Sequence, residues 1–194
     1  MQTPVTTSER IAVFCGARPG ASEDHVAFAR AFGYELARRG RDLVYGAGGV
    51  GVMGAVADGV LAGGGTVTGV LPRSLYERER ADRARGETFV VRSMHQRKAL
   101  MYRLSTGFAV LPGGIGTMDE LMEVATWNQL SLMEKPVVVV NHRGFYTPML
   151  AMLDHLVTEG FLTAQERRVV RSAETADEAL DLLAAPGAAV LAPV

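Results

Sequence analysis

Short, almost wholly apolar segments alternate along this chain with longer segments in which apolar side chains recur every three or four residues. The first pattern predicts β-strands, and the second predicts amphipathic helices. The run Val137–Val140 is pure valine, as expected for a strand that is buried on both faces of a parallel sheet. Predicted strands cover residues 11–16, 42–45, 66–71, 88–91, 107–111, 136–140 and, weakly, about 169–170.

Predicted helices fill the intervals between these strands. They cover residues 22–39, the segment after residue 51, 93–104, the segment from 117 to about 132, 145–160 and 175–185, whereas 73–87 is predicted to be a charged, solvated loop. This alternation predicts an α/β fold with one doubly wound, Rossmann-like, mostly parallel sheet and helices on both faces. We expect a single domain over residues 1–194, with a core of about 10–185 and loose termini.

Composition narrows the classes of function. The chain has 194 residues, 48% of them hydrophobic, and a formal net charge of -1, so nothing indicates the basic surface of a nucleic-acid-binding protein. No apolar run is long enough to span a bilayer, and the first ten residues lack the hydrophobic region of a signal peptide. The single cysteine, Cys15, excludes an internal disulfide. We therefore expect a cytoplasmic protein without membrane or nucleic-acid partners.

The segment from Pro112 to Glu120 links a predicted strand to a predicted helix through three glycines. Glycines let backbone N–H groups approach an anion closely, and the helix N-terminus favours negative charge, so this turn predicts a phosphate site. Glu120 would lie within one turn of that phosphate, where it suits a part of the ligand that becomes electron-poor, such as a sugar carbon losing its leaving group. An alternative is a capping box, with Thr117 as N-cap and Glu120 bonding back to it.

Gly46, Gly48 and Gly51 formally match the dinucleotide-binding motif between a strand and a helix. The next strand, however, ends at Arg73 and not at the acid that would bind a ribose 2′-hydroxyl group. Arg73 could instead meet a 2′-phosphate, which leaves an NADP-dependent enzyme as an alternative. Tight packing of helix on strand explains the same glycines as well.

A helix is predicted to follow Ser93. One of its faces carries Met94, Arg97, Lys98 and Met101. If that face borders the cleft, Arg97 offers a planar fork to a phosphate and a methionine can lie against a nucleobase. For Lys98 alone, an ordinary partly exposed position is the simpler interpretation. The four histidines lack metal-ligand spacing, so we expect no metal, and no motif indicates an organic cofactor.

Two of these segments carry a resemblance to a known family. The run from Met94 to Lys98 is similar to an M-H-x-R-K signature, and Pro112 to Glu120 matches P-G-G-x-G-T-x-x-E in full. Both belong to the Lonely Guy group of cytokinin riboside 5′-monophosphate phosphoribohydrolases, whose bacterial members have often been labelled lysine decarboxylases. The resemblance covers nearly the whole chain. Nothing in the sequence resembles a pyridoxal phosphate site.

The resemblance implies hydrolysis of the N-glycosidic bond of (cytokinin) adenosine 5′-monophosphates, without metal or cofactor, by a homodimer or a higher assembly. It implies that Arg97 and Glu120 are catalytic. A substrate site would comprise Glu79, Met94, Arg97, Lys98, Gly113, Gly114, Ile115, Gly116, Thr117, Met118, Asp119, Glu120 and Thr126. The competing hypothesis is a non-catalytic nucleotide-binding or sensor protein.

The chain also departs from the family. Ala17 and Arg18 stand where serines are usual after the first glycine turn, and Ala47 and Gly49 alter the second turn. These departures bear on substrate preference more than on the type of reaction. The physiological base, prenylated or plain adenine, stays open.

Overall fold

The computed structural model describes residues 9–79 and 85–187, the side chains of residues 78 and 79 excepted. The prediction of loose termini concerns residues that lie mostly outside these ranges. The described residues form seven strands, β1 (Arg10–Phe14), β2 (Asp42–Tyr45), β3 (Val67–Pro72), β4 (Glu87–Val91), β5 (Gly107–Val110), β6 (Val137–Val140) and β7 (Val170–Ala173). All adjacent pairs are parallel, in the order β4-β3-β2-β1-β5-β6-β7.

The helices of the described residues connect these strands. They are α1 (Glu23–Arg38), α2 (Gly51–Ala62), α3 (Arg73–Glu79), α4 (Met94–Leu104), α5 (Ile115–Gln129), α6 (Thr147–Thr158), α7 (Ala164–Arg167) and α8 (Ala176–Ala184). Ser22, Ser93 and Thr175 cap α1, α4 and α8 by accepting hydrogen bonds from backbone N–H groups in the first turn. Local cap chemistry therefore sets where these three helices begin.

Two apolar layers cover the sheet, one on each face. Along β1, Ile11 and Val13 join the layer built by α1, α2 and α8, whereas Ala12 and Phe14 join the layer built by α4, α5 and α6. This period of two is the pleat of a strand that is buried on both sides. The prediction of a doubly wound parallel sheet with helices on both faces is thus confirmed.

The order in which the chain adds strands to the sheet reverses between β1 and β5. The strands β2, β3 and β4 extend the sheet to one side of β1, and β5, β6 and β7 extend it to the other. The crossover helices diverge at such a switch point and leave a crevice at the carboxyl ends of the strands, where open α/β sheets bind ligands.

Several predicted boundaries were wrong. The first half of the predicted charged loop is helix α3, because Leu75 gives that segment an apolar side that packs against the core. Helix α5 ends at Gln129, not near residue 132. Helix α6 begins at Thr147, after a 3₁₀ turn at His142–Gly144. Pro148 lies in the first turn of α6, where backbone N–H groups have no partner within the helix, so the N–H that proline lacks costs no hydrogen bond.

Candidate active site

A cavity of about 430 Å³ opens at the switch point between β1 and β5. All three glycine-rich turns contribute to its walls, as the parallel topology predicts. The lining residues are Cys15, Gly16, Ala17, Arg18, Gly46, Gly48, Met53, Leu71, Leu75, Met94, Arg97, Gly114, Ile115, Gly116, Thr117, Asp119 and Glu120. The volume lies within the usual range for small-molecule sites.

The turn between β5 and α5 forms one wall of this cavity. Gly114 is the N-cap of α5 and provides no side-chain hydrogen bond to the first turn of the helix. Two backbone hydrogen bonds fix the turn to its neighbour, from Gly16 N to Pro112 O at 3.0 Å and from Leu111 N to Phe14 O at 2.9 Å. The first N–H groups of α5 and the positive end of its dipole are therefore held in place beside the cavity.

The alternative interpretation of Thr117 and Glu120 as a capping box is wrong. Thr117 is the third residue of α5 and not its N-cap, and its side chain is buried. The helix starts earlier because Gly114, in an extended conformation, already serves as N-cap. Glu120 has no capping role. Its side chain lines the cavity, and the residue is only 7% exposed.

The three glycines of this turn differ in what requires them. A Cβ atom on Gly113 would overlap the Thr117 hydroxyl group, so packing alone requires glycine there. A Cβ atom on Gly114 or on Gly116 would meet no neighbouring heavy atom within 4 Å, and both residues line the cavity. The fold therefore does not need glycine at positions 114 and 116.

The turn after β2 carries the formal dinucleotide-binding motif, and protein contacts account for its glycines. A Cβ atom on Gly46 would overlap the Arg97 guanidinium group, and one on Gly48 would lie 2.8 Å from a methionine sulfur. Gly51 has a φ of +65° and lies against the Ala17 carbonyl group. These contacts favour the packing interpretation of the motif over a pyrophosphate site.

Helix α4 directs Arg97 into the cavity, where backbone carbonyl groups fix its position. Arg97 Nε donates to the Val70 carbonyl oxygen at 3.1 Å, and Nη2 donates to the Gly46 carbonyl oxygen at 3.4 Å. The residue is only 9% exposed. Because carbonyl groups of β3 and of the turn after β2 hold this guanidinium group, it is oriented before any ligand binds.

Glu120 faces Arg97 across the cavity floor. The distance from Arg97 Nη2 to Glu120 Oε1 is 3.9 Å, which is within the range of an ion pair but too long for a hydrogen bond. Burial raises the pKa of Glu120 to about 7, although the charge of Arg97 opposes the rise. The carboxyl group thus changes its charge near neutral pH, as is typical of groups in active sites.

Cys15 lies beside this pair at the end of β1. Burial is the main cause that raises the pKa of its thiol far above neutrality, and the Glu120 charge adds to the effect. The thiol is therefore neutral and a poor nucleophile, as predicted for a buried cysteine.

Other predicted site residues lie at different places. Met94, Ile115 and Asp119 line the cavity, with Met94 and Ile115 strongly exposed at its mouth. Met118 instead packs against the apolar layer under α5. The Glu79 side chain is outside the described part of the structure.

Lys98 and Thr126 do not line the cavity. They border a separate, shallow depression of about 320 Å³ on the outer side of α5. The Thr126 hydroxyl group donates to the Met122 carbonyl oxygen at 2.8 Å, and Lys98 forms ion pairs with Asp119 and Glu123. In this arrangement neither residue reaches the space beside Arg97 and Glu120.

Sequence reasoning missed the apolar wall of the cavity. Met53, Leu71 and Leu75 line it, from α2, the end of β3 and α3. Their spacing along the chain carries no chemical motif. Their positions near a glycine turn or the end of a strand were the available signal, since those places meet at the carboxyl edge of the sheet.

Within residues 9–79 and 85–187, no group of three or more histidine, cysteine, aspartate or glutamate side chains is arranged to hold a metal ion. None of the helices found in the same ranges is both long and apolar enough to cross a membrane.

Comparison with known proteins identifies relatives of this chain. A family model described as "possible lysine decarboxylase" matches residues 53–183. Cytokinin riboside 5′-monophosphate phosphoribohydrolase LOG of Oryza sativa subsp. japonica is 47% identical over 87% of this chain and 70% of its own length. The corresponding enzyme LOG2 of Arabidopsis thaliana is 43% identical over 94% of this chain and 86% of its own length.

A solved structure extends the likeness to the fold. The molybdenum cofactor carrier protein of Chlamydomonas reinhardtii superposes with a TM-score of 0.66 over 92% of this chain and 99% of that one. Its sequence is 22% identical, so it supports the fold alone.

Fold and cavity together define a Rossmann-like α/β protein with a ligand site at its switch point. The relatives specify the class further, since the identity extends over most of both sequences. The chain belongs to the Lonely Guy family of phosphoribohydrolases, the family that its motifs predicted.

Proposed function

We propose that this protein hydrolyses the N-glycosidic bond of adenosine 5′-monophosphates, including cytokinin nucleotides, and releases an adenine-type base and ribose 5-phosphate. Two relatives bear the name of that activity. One structural observation carries the proposal. Gly114 and Gly116, where an added Cβ atom would meet no protein heavy atom within 4 Å, line the same cavity as the buried pair Arg97 and Glu120.

The 5′-phosphate would bind at the N-terminus of α5. Backbone N–H groups there are unpaired within the helix, and the missing Cβ atoms at positions 114 and 116 allow an anion to approach them. Binding energy from this phosphate would place the ribose C1′ atom without entering the chemical step.

Glu120 would act at C1′ as a carboxylate. Departure of the base with the electron pair of the glycosidic bond leaves positive charge on C1′ and the ring oxygen, and a fixed carboxylate stabilises that charge. Water then forms the new bond to C1′, and its proton is released as the base takes one up. In its carboxylate form Glu120 can also orient that water.

Arg97 would hold the substrate and offset negative charge on the phosphate or the departing base. It cannot serve as a base, since a guanidinium group does not lose its proton in proteins. The apolar wall of Met53, Leu71 and Leu75 suits the flat, weakly polar face of a purine. Met94 at the mouth would contact any substituent on that base.

The test is chromatographic detection of free base after the purified protein is incubated with AMP and, separately, with isopentenyladenosine 5′-monophosphate. We expect release of base from at least one nucleotide by the wild type and loss of release in Glu120→Gln. The ratio of the two kcat/KM values would show whether the site favours the prenyl group.

Binding of both nucleotides without release of either base would contradict the proposal. That result would favour the competing hypothesis of a nucleotide sensor. Stabilisation of the fold by a 2′-phosphorylated dinucleotide more than by AMP would instead favour an NADP-dependent enzyme.

We further propose that the protein acts in the cytoplasm as a homodimer, with higher assembly possible on the family pattern. Exposed apolar side chains near the C-terminal ends of α5 and α6 support an interface, since Leu132 is 71% exposed and Phe161 is 77% exposed. Light scattering on the wild type and on Phe161→Ser tests the assembly. A monomeric wild type would contradict it.

A further inference from the structure

The turn between β5 and α5, residues 111–114, begins just beyond the end of a strand ladder. The ladder between β5 and β6 ends where Val110 pairs with Val139, one residue before Leu111. On the other side, the Leu111 N–H donates to the Phe14 carbonyl oxygen of β1 at 2.9 Å. Leu111 is fully buried, and a buried carbonyl group without a donor costs free energy. The Leu111 carbonyl oxygen therefore needs a donor from another segment.

Tyr146 supplies that donor from the segment between β6 and α6. Its hydroxyl group donates to the Leu111 carbonyl oxygen at 2.7 Å, and the residue is only 2% exposed. Burial is the main cause that raises the pKa of the Tyr146 phenol, so the hydroxyl group keeps its proton and remains a donor near neutral pH. A hydrogen bond shielded from water in this way holds the positions of both groups.

The backbone of Tyr146 is itself held by Asn141. The Tyr146 N–H donates to Asn141 Oδ1 at 2.7 Å, and the Asn141 N–H donates to the Ala173 carbonyl oxygen of β7 at 2.7 Å. The Tyr146 ring packs edge-to-face against Phe145, with a centroid distance of 4.8 Å. The donor to Leu111 is therefore fixed by a segment that is anchored to the sheet.

A second contact fixes the turn from the side of β1. Gly16 N donates to the Pro112 carbonyl oxygen at 3.0 Å, so each of the two carbonyl groups that lead into the turn has a donor from a neighbouring segment. Gly113 then separates Pro112 from Gly114, the N-cap of α5. A shift of the Leu111 carbonyl group would therefore change the direction of the first N–H groups of α5, which lie beside the cavity.

We propose that Tyr146 is a positioning residue, which holds the turn between β5 and α5 in the orientation that receives the 5′-phosphate. Among the residues that the structure describes, those lining the cavity do not include Tyr146, so it acts on the ligand through Leu111. This inference rests on the proposed function, which places the phosphate at the N-terminus of α5. Loss of the hydroxyl group should therefore weaken the binding of the phosphate and leave the binding of the rest of the nucleotide unchanged.

The Tyr146 hydroxyl group should not influence the charge of Glu120. Besides burial, the pKa of Glu120 responds to the charges of four residues on α4 and α5, which are Arg97, Asp119, Lys98 and Glu123. Tyr146 is uncharged near neutral pH and belongs to a different segment. Removal of its hydroxyl group should therefore leave the pH dependence of base release as it is.

The experiment measures by calorimetry how the wild type and Tyr146→Phe bind two fragments of the nucleotide. Ribose 5-phosphate carries the phosphate and the sugar, whereas adenosine carries the sugar and the base. Phenylalanine keeps the ring and loses only the hydroxyl group. We expect the dissociation constant of ribose 5-phosphate to rise about 3- to 10-fold, the scale of one hydrogen bond, and that of adenosine to stay within about twofold.

The base-release assay gives a second readout. For AMP, kcat/KM should fall about 3- to 10-fold in Tyr146→Phe. The acid limb of its pH profile, which reports free Glu120, should not move. Asn141→Ala removes the acceptor of the Tyr146 N–H and should also weaken the binding of ribose 5-phosphate more than that of adenosine. This variant tests the inference if thermal unfolding shows that Tyr146→Phe is not folded.

Ser105→Ala is the matched control. The Ser105 hydroxyl group also donates to a backbone carbonyl oxygen, that of Met101 at 2.8 Å, and the residue is 2% exposed. Ser105 lies before the amino end of β5, whereas Tyr146 acts beyond its carboxyl end. Ser105→Ala should lose stability as Tyr146→Phe does, but its affinity for both fragments should be unchanged.

Three outcomes would overturn the inference. Equal weakening of ribose 5-phosphate and adenosine binding in Tyr146→Phe would mean that the whole site has loosened. Unchanged affinity for both fragments would mean that the hydrogen bond does not position the turn. Weaker binding of ribose 5-phosphate by Ser105→Ala to the same extent would trace the effect to lower stability. A wild type that binds neither ribose 5-phosphate nor AMP would instead refute the proposed function itself.

Discussion

The two helix pairs on opposite faces of the sheet are held together by different means. Helices α1 and α2 touch through their backbones, since a Cβ atom on Gly33 would overlap the Val56 carbonyl oxygen and one on Gly59 would overlap that of Arg30. Helices α4 and α5 are bridged by charged side chains, and the cavity opens beside them. Close packing leaves no room for a ligand between α1 and α2, whereas the cavity is lined by charged side chains of both α4 and α5.

The largest effect should come from Glu120→Gln. We expect kcat to fall by about 10²- to 10³-fold, because a neutral amide cannot stabilise the developing positive charge as a carboxylate does.

The Glu120→Gln change should also stabilise the fold. The pKa of Glu120 is raised from 4.5 to about 7, so ionising this buried group costs stability as the pH rises between those values. The cost above pH 7 is on the order of 3 kcal/mol.

Urea unfolding at pH 4 and at pH 8 checks this sign. At pH 4 the wild-type carboxyl group is protonated and the variant should be about as stable as the wild type. At pH 8 the variant should be more stable. A stability difference that does not change with pH would show that the Glu120 carboxyl group is not the cause.

A smaller effect should follow from Gly33→Ala on the other face. The added methyl group must push α1 away from α2, and we expect the free energy of unfolding to fall by about 1–3 kcal/mol. Base release per folded molecule should be unchanged, because this contact lies across the sheet from α4 and α5. Chemical unfolding and the release assay check both parts.

Gly116→Ala is the matched change at the cavity. Here the methyl group meets no protein atom, and alanine favours the helix, so stability should rise by up to about 1 kcal/mol. The affinity for nucleotide should fall, since the methyl group enters the space proposed for the phosphate. Unchanged KM for AMP would place the phosphate elsewhere.

The smallest effect should come from Arg18→Ser at the rim. Arg18 is exposed and lines the cavity, and an exposed cation contributes little to binding a phosphate. We expect KM to rise about two- to fivefold at low salt and less at high salt. A rise of similar size at high and low salt would argue against a charge effect.

These contrasts explain which features the sequence could predict. The apolar strands were readily recognised, because a strand buried on both faces, such as Val137–Val140, needs an unbroken apolar run. The α1–α2 contact was not recognised, because the packing role of a glycine within a helix becomes apparent only when the position of the neighbouring helix is known. When the sequence alone is considered, Gly33 and Gly59 indicate only weak helix-forming propensity.

Prediction of the site was uneven for similar reasons. Local motifs predicted a ligand site at the glycine turn and Glu120, and both line the cavity, but the start of α5 was misplaced because Thr117 and Glu120 imitate a capping box. The ion pairs of Lys98 could not be predicted, because they depend on which helix lies opposite α4. The like-charged pair Asp119 and Glu123 was a signal that a cation must face them, and it could have been recognised.

The two unneeded glycines also bear on the history of this chain. Because neither Gly114 nor Gly116 is required by packing, a lineage that no longer bound a phosphorylated ligand could replace Gly116 with alanine and lose no stability. Substitutions at these two glycines would then be tolerated earlier than substitutions in the buried strands of the sheet. The structure therefore predicts that relatives with the same fold but without these two glycines bind a different ligand.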